Sequence, residues 1–342
     1  MQNFLSNKGS HSIYIIAEVG VNHNGSLELA FECIDQAILC GADAVKFQTF
    51  KSEKLVTKYA QKAEYQTENT NSTESQLDML KQLELSFDDF VLLKKYCEDK
   101  GIDFLSTPFD EESAEFLDSI QIDAFKVGSG DMNNIPFLQK LDSYGRPIIL
   151  STGMSNLDEI GESLQAFQKS EVLLLHCTSD YPAPLEDVNL LAMKTISTTF
   201  DKVTGYSDHT AGIEIAIAAS ALGARIIEKH FTLDRNLSGP DHKASLEPAD
   251  FSKMVDAIRN VEQALGDGVK RCMPSEESTR AVARKSVVMA TSKKAGQLIT
   301  QEDLVIKRPG AGIEPKYYDD LIGKQLLKDV HEDYLLSWDD VQ

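Results

Sequence analysis

ALGARIIEKHF, residues 221–231, carries the unit from which most of the chain is built. Gly223 follows a helix-forming stretch and supplies the left-handed backbone that ends a helix. A short apolar run comes next. It is too short for a helix and lacks polar alternation, as in a strand buried on both faces. Glu228 and His230 then close it with polar side chains. The same order recurs in LCGADAVKFQT (39–49), DKGIDFLSTPF (99–109) and SYGRPIILSTG (143–153). Working outward from these, strands are expected at about 12–17, 44–48, 103–106, 124–128, 147–151, 172–177, 203–207 and 225–230. Amphipathic helices fit between them. Leu27, Phe31, Ile34 and Ile38 form one helical stripe in 27–40, and Phe87, Phe90, Val91 and Leu93 form another in 87–97.

Eight strand–helix repeats predict an α/β architecture, a closed (β/α)₈ TIM barrel over residues 1–268, at the usual size of roughly 250 residues. A doubly wound open sheet fits less well, because no Gly-rich phosphate loop follows the first strand. The segment 52–82 exceeds a usual β–α connection and is rich in Lys, Glu, Gln, Asn and Thr, so a mobile loop over the barrel mouth is expected there. After 266 the rhythm changes. Residues 269–284 read as a polar linker with room for one helix, and 285–342 as a small β-rich domain containing SVVMA, a Lys-Lys-Ala-Gly turn and LITQEDLVIKRPGAGI. So short a domain is expected to lean on another surface.

Composition narrows the function classes. The net charge is −20 and the sequence pI about 4.7. That disfavours nucleic acid and anionic membranes as partners and makes any lysine cluster conspicuous. The five cysteines are odd in number and form no CxxC, so free thiols in a reducing compartment are expected. The N-terminal stretch has only a short apolar run, unlike a secretory signal. No stretch approaches the roughly 18 apolar residues of a membrane helix. A cytoplasmic location is the expectation.

The chemistry concentrates at the strand ends, where barrel enzymes carry their catalytic groups. Every expected strand ends in polar residues: Glu18 with Asn22, His23 and Asn24; Lys46 and Gln48; Ser106 and Thr107; Lys126 and Ser129; Ser151 and Thr152; His176, Thr178 and Tyr181; Ser207, Asp208 and His209; Glu228 and His230. Lys46 and Lys126, with the hydroxyls of Thr107, Ser129, Ser151 and Ser207, suit a phosphate bearing an adjacent carboxylate. The competing reading is that each lysine pairs with a barrel carboxylate, Glu18 or Glu228. His209 and His230 end adjacent strands. Two neutral imidazoles with open positions suit Mn²⁺, Fe²⁺ or another divalent ion. A closed zinc site would need two more ligands. A single strand-end histidine is more often structural, and His23, His176 and His242 are less specific candidates. Glu18 would face the metal across the cavity as a general base, or form a salt bridge to Lys46 or Lys126.

These residues resemble the sialic acid synthase family. The resemblance runs through AEVGVNHNG (17–25), VKFQTF (45–50), STPFD (106–110), KVGSGDMNN (126–134), STGM (151–154), HCTSDYPAP (176–184), GYSDHT (205–210), EKHFTLD (228–234) and GPDHKASLEP (239–248). KRPGAGI (307–313) resembles that family's C-terminal antifreeze-like (SAF) domain. The resemblance implies a transferase that condenses phosphoenolpyruvate with an N-acetylated amino sugar. Phosphoenolpyruvate would lie against Lys46, Thr107, Lys126, Ser129, Ser151 and Ser207, with Gln48 nearby. His209 and His230 would hold the metal, expected to be Mn²⁺ with Mg²⁺ or Co²⁺ as alternatives, to polarise the sugar aldehyde. C3 of phosphoenolpyruvate would attack that carbon, water would add at C2, and phosphate would leave by C–O cleavage. Glu18 would move the water's proton, and Tyr181 and Asp241 would contact the sugar. Arg308 resembles an arginine that reaches into the partner subunit's site, which implies a domain-swapped homodimer.

One departure concerns the acceptor. Some relatives carry Asn within the segment matching Thr178–Ser179. The expected activity is N-acetylneuraminate synthesis from N-acetylmannosamine. The alternative is an N,N'-diacetyllegionaminate synthase using a 2,4-diacetamido-2,4,6-trideoxy hexose. A pseudaminate synthase stands further off, because GPDHKASLEP resembles the neuraminate and legionaminate branches more. Two other classes compete: a non-catalytic binding protein on a barrel scaffold, and a Schiff-base aldolase acting on pyruvate through Lys46 or Lys126.

Overall fold

The computed structural model describes residues 4–7, 13–63, 66, 67, 69 and 74–342. The chain divides into two units, one up to Gly266 and one over Asp267–Gln342. In the first unit eight parallel strands close into a barrel in sequence order. They are β1 (Tyr14–Gly20), β2 (Ala44–Thr49), β3 (Asp103–Pro108), β4 (Phe125–Val127), β5 (Ile148–Ser151), β6 (Val172–His176), β7 (Thr204–Asp208) and β8 (Ile226–His230). β8 pairs with β1, leaving no open edge.

Strand alternation sorts the side chains into two cores. Tyr14, Ile16, Ala44, Leu105, Ala124, Ile149, Leu173, Leu175 and Ile226 fill the barrel interior. Ile15, Ala17, Val45, Phe47, Phe104, Phe125, Leu150, Leu174, Tyr206 and Ile227 pack outward against the helices. The helix Leu27–Leu39 buries Ala30, Cys33, Ile34 and Ala37. Its buried face is centred on smaller residues than the expected stripe, because a helix lying close on a sheet has little room for Leu or Phe. The helix Phe87–Lys100 buries Phe90, Leu93 and Cys97, whereas Val91 is exposed.

The segment 52–82 is more ordered than a simple loop. It contains the short helix Ser52–Leu55 and the helix Gln76–Leu83, whose Met79, Leu80 and Leu83 are buried. Its residues 64, 65, 68 and 70–73 lie outside the described residues.

The second unit begins with a largely exposed stretch containing the helix Glu277–Ala283. β9 (Ser286–Met289) and β10 (Leu304–Lys307) then pair antiparallel. Around them Val287, Met289, Ile299, Leu304, Ile313, Leu321, Leu326, Val330, Leu336 and Val341 form a separate core. Asp303 caps this core. Its carboxylate accepts hydrogen bonds from the Thr300 backbone N–H and hydroxyl, each at 2.7 Å, and pairs with Lys293. All five cysteines are free, and four of them are buried. Among the described residues no helix is long and apolar enough to cross a membrane.

Candidate active site

Side chains two residues apart on a strand point the same way. Glu18, Lys46, Gln48, Thr107, Lys126, Ser151, Ser207, Glu228 and His230 therefore rise from the inner face at the C-terminal end of the barrel. Ser129, Tyr181, His209 and Asp241 join them from the loops that follow. All thirteen line one cavity of about 410 Å³. Eight expected strand-end residues, Asn22, His23, Asn24, Ser106, Thr152, His176, Thr178 and Asp208, do not line it. Ser106 and Asp208 fall on the outward phase, and His176 gives or takes a hydrogen bond at the Val188 carbonyl, 2.8 Å away. Two other histidines are also satisfied elsewhere. His23 accepts from the Gly25 N–H, and His242 lies between Thr232 and Asn24. Arg308 belongs to the second unit, one residue beyond β10, and is exposed.

A buried charge cluster floors the cavity. Lys46 Nζ lies 2.8 Å from Glu18 Oε2 and 3.5 Å from Glu228 Oε2, and Lys126 Nζ lies 3.5 Å from Glu228 Oε1. The ion-pair reading of the lysines thus holds geometrically, alongside their place in the cavity. Each lysine also keeps a hydroxyl partner: Thr107 Oγ1 at 3.3 Å from Lys46 and Ser151 Oγ at 2.8 Å from Lys126. Two lysines facing two carboxylates leave the cluster neutral. The arrival of a polyanion would tip it negative, which favours a proton on one of the carboxyls.

The structure differentiates those two carboxyls. Burial raises Glu18 well above the usual carboxylate range, and Lys46 only partly offsets it. Burial acts the same way on Glu228, but Lys126, Lys46 and the Ser207 hydroxyl at 2.8 Å outweigh it and hold that group low. Glu228 thus stays ionised as the lysines' anchor, and Glu18 is the group poised to exchange a proton. Sequence reading gave Glu228 only the part of a possible lysine partner. Its phase with His230, two residues on, was the available signal.

Glu18 also needed correction in position. The closed barrel makes β1 and β8 neighbours, and Glu18 is register partner to His230. It stands beside His230, not across the cavity from it. Gly20 shapes this corner. The β1–β2 register shifts between Glu18 and Gly20, and Gly20 has φ +57°; a Cβ there would lie 3.0 Å from Glu18 Oε1 and 3.1 Å from Gln48 Nε2. Gln48 Nε2 in turn donates to Glu18 Oε1 at 3.2 Å. On the opposite wall the Gly153 N–H donates to Ser129 Oγ at 2.9 Å.

The rings of His209 and His230 have centroids 5.6 Å apart, and Tyr181 packs on both at 4.3 and 5.5 Å. Burial pushes His209 down to about 4 and His230 well below the usual histidine range, so both are neutral at pH 7. His209 Nδ1 lies 2.6 Å from the Thr178 carbonyl oxygen, which can only accept. The ring proton therefore sits on Nδ1, and the Nε2 lone pair faces the Ser207 hydroxyl at 3.4 Å, whose own proton goes to Glu228. His230 Nδ1 is buried without a hydrogen-bond partner. Two neutral rings, one with a fixed lone pair and one with an unmet buried nitrogen, fit a divalent cation. Among the described residues no group of three His, Cys, Asp or Glu could hold a metal. Water or substrate oxygens would have to complete the shell.

Above the charged floor the walls are largely apolar, with Gln66 and Gln76 among them. Val21, Leu55, Val56, Met79, Leu80, Leu83 and Phe109 line the mouth. Four of the seven come from the segment 52–82, expected from sequence as a polar, mobile loop over the mouth, and Leu83 directly follows it. Spaced Leu and Met residues among Lys, Glu and Gln were the overlooked signal. Asp241, beside Pro240 on this rim, is pushed up to about 6 by burial.

Comparison with known proteins places these features in a family. A model of the NeuB family matches residues 33–270, and one of the SAF domain matches residues 284–342. An N,N'-diacetyllegionaminic acid synthase of Campylobacter jejuni is 46% identical, over 94% of this chain and 98% of that protein. One from Legionella pneumophila is 43% identical, over 97% and 96%. The N-acetylneuraminate-9-phosphate synthase of Homo sapiens is 38% identical, over 95% and 91%. Among solved structures, an N-acetylneuraminic acid synthetase of Leptospira borgpetersenii superposes with a TM-score of 0.71 at 37% identity, covering 79% of this chain and 91% of that one.

Proposed function

This chain belongs to the NeuB family and is an enzyme of that family, and we propose that it condenses phosphoenolpyruvate with a 2,4-diacetamido-2,4,6-trideoxy hexose to give an N,N'-diacetyllegionaminic acid and phosphate. The reaction class rests on one observation: a buried Glu18–Lys46–Glu228–Lys126 cluster beside two neutral histidines at the barrel mouth. The choice of acceptor departs from N-acetylmannosamine, the sugar expected from sequence. It rests on the names of the 46% and 43% identical relatives. The walls of the cavity support it as well, because an apolar mouth suits a C6 methyl and two acetamido methyls better than a C6 hydroxyl.

Lys46 and Lys126, with Thr107, Ser129, Ser151 and Ser207, seat the phosphate and carboxylate of phosphoenolpyruvate. Tyr181, Gln48 and Asp241 orient the open-chain sugar so that its aldehyde carbon meets C3. His209 and His230 would hold a divalent ion, Mn²⁺ by preference and otherwise Mg²⁺ or Co²⁺, which would supply Lewis-acid polarisation of the aldehyde. As C3 forms the new carbon–carbon bond, water adds at C2. Glu18 takes the proton from that water and passes it to the aldehyde oxygen, which the new carbon–carbon bond leaves as an alkoxide. The C2–O bond to phosphate then breaks, the C2 hydroxyl gives its proton to the departing phosphate, and C2 becomes the ketone carbon. Arg308 completes the site from a partner subunit, which makes the working form a domain-swapped homodimer of barrel domain 1–268, linker 269–284 and SAF domain 285–342.

Phosphate release measured with Mn²⁺, phosphoenolpyruvate and either sugar tests the acceptor. The diacetamido sugar should be preferred in kcat/KM by about tenfold or more, a margin apolar contacts can supply. Preference for N-acetylmannosamine would overturn the choice of sugar. Borohydride trapping of pyruvate on the enzyme would overturn the reaction class.

A further inference from the structure

Behind the two histidines lies a charged pair that the mechanism above does not use. Asp208 and Lys229 are register partners on β7 and β8 and face outward into the apolar layer under the helices. Lys229 Nζ lies 2.8 Å from Asp208 Oδ2, with both side chains fully buried. Lys229 also donates to the Thr210 carbonyl oxygen at 2.6 Å. The other Asp208 oxygen accepts from the Thr210 N–H at 2.9 Å and from its hydroxyl at 2.8 Å. The pair therefore closes a turn with His209 at its centre and fastens that turn to the strand residue immediately before His230.

A fully buried ion pair is a poor source of stability, because desolvation consumes most of the Coulombic gain and an apolar pair of similar size serves as well. Such a pair does fix geometry, since every polar atom in it has one satisfied arrangement. Here the geometry it fixes is the spacing of two imidazoles whose backbones it grips from behind. We infer that Asp208 and Lys229 are positioning residues that hold His209 and His230 at the separation needed to bind one divalent cation. This rests on the reading of those histidines as the metal's protein ligands.

The test is Mn²⁺ binding to metal-stripped protein, followed by the electron paramagnetic resonance signal of free Mn²⁺, with a thermal melt beside it. The double variant Asp208→Asn/Lys229→Met keeps the acceptor for Thr210 and the bulk of the lysine stem, but removes the cross-strand charge pair. It should fold cooperatively and bind Mn²⁺ about 10- to 100-fold more weakly, the usual loss when groups supporting a ligand are removed. A merely structural pair would shift the melt and leave the Kd of the folded protein at the wild-type value, which would overturn the inference. Should the double variant not fold, Thr210→Val removes only the hydroxyl bond to Asp208. It should still weaken Mn²⁺ binding severalfold, and an unchanged Kd would overturn the inference equally. His209→Ala/His230→Ala separates the two levels. If that variant binds Mn²⁺ like wild type, or wild type does not bind it, the metal reading itself fails and this inference falls with it.

Discussion

Glu18 and Glu228 are the same residue type, 2.8 and 3.5 Å from the same ammonium group, yet their environments push them apart. Glu228 sees two lysines and a hydroxyl, while Glu18 sees burial, one lysine and the charge of Glu228. If Glu18 must be ionised to take water's proton, activity falls as pH drops through its raised pKa. The acid limb of kcat should therefore lie above the ordinary carboxylate range. Glu18→Gln should lower kcat by roughly 10²- to 10⁴-fold and abolish that limb. An unchanged limb in the variant's residual activity would assign it to another group. Asp303 gives a test of opposite sign in the second unit. Burial works against its charge, but Lys293 and Thr300 hold it down at about 2. Its contribution to stability is present above the unfolded carboxylate range and is lost as pH falls toward 2. Asp303→Asn should cost about 1–3 kcal/mol near neutrality, and the difference from wild type in denaturant melts should narrow below about pH 4.

At the scale of elements, β1 shows how one backbone irregularity serves the site. The register shift after Glu18 and the positive φ of Gly20 turn the strand end so that Glu18 and Gln48 meet. Gly20→Ala would put a methyl 3.0 Å from the Glu18 carboxyl and force an L-residue into left-handed backbone, at about 1–2 kcal/mol for the backbone alone. Activity should fall at least tenfold while the barrel still melts cooperatively. Wild-type kinetics in Gly20→Ala would mean that Glu18 does not depend on this corner. The eight strands were legible because each is a short apolar run punctuated by glycine. The helix Gln76–Leu83 was not, since its polar neighbours dilute the pattern and only packing on Val21 and Phe50 makes its apolar face worth burying.

At the scale of the whole molecule, the barrel mouth and Arg308 lie in separate units of one chain. A site shared between subunits makes a sharp prediction. Glu18→Gln and Arg308→Ala chains, each nearly inactive alone, should regain about a quarter of wild-type activity when co-refolded, because half of random dimers contain one intact site. If each site is built from one chain, the mixture stays inactive.

The amino-acid sequence by itself determined the barrel, the small β-rich tail and the identity of nearly every polar group in the cavity. Hydrophobic periodicity and glycine punctuation are local, and they survive without knowledge of neighbours. Three things required the tertiary structure. Closure of β8 onto β1 set Glu18 beside His230 instead of opposite it. Strand phase, a period-two property fixed only once pairing is known, sent Ser106, Asp208 and His176 away from the cavity. The unequal fates of two identical carboxyls depend on desolvation and on charges brought from other strands, which no stretch of sequence contains.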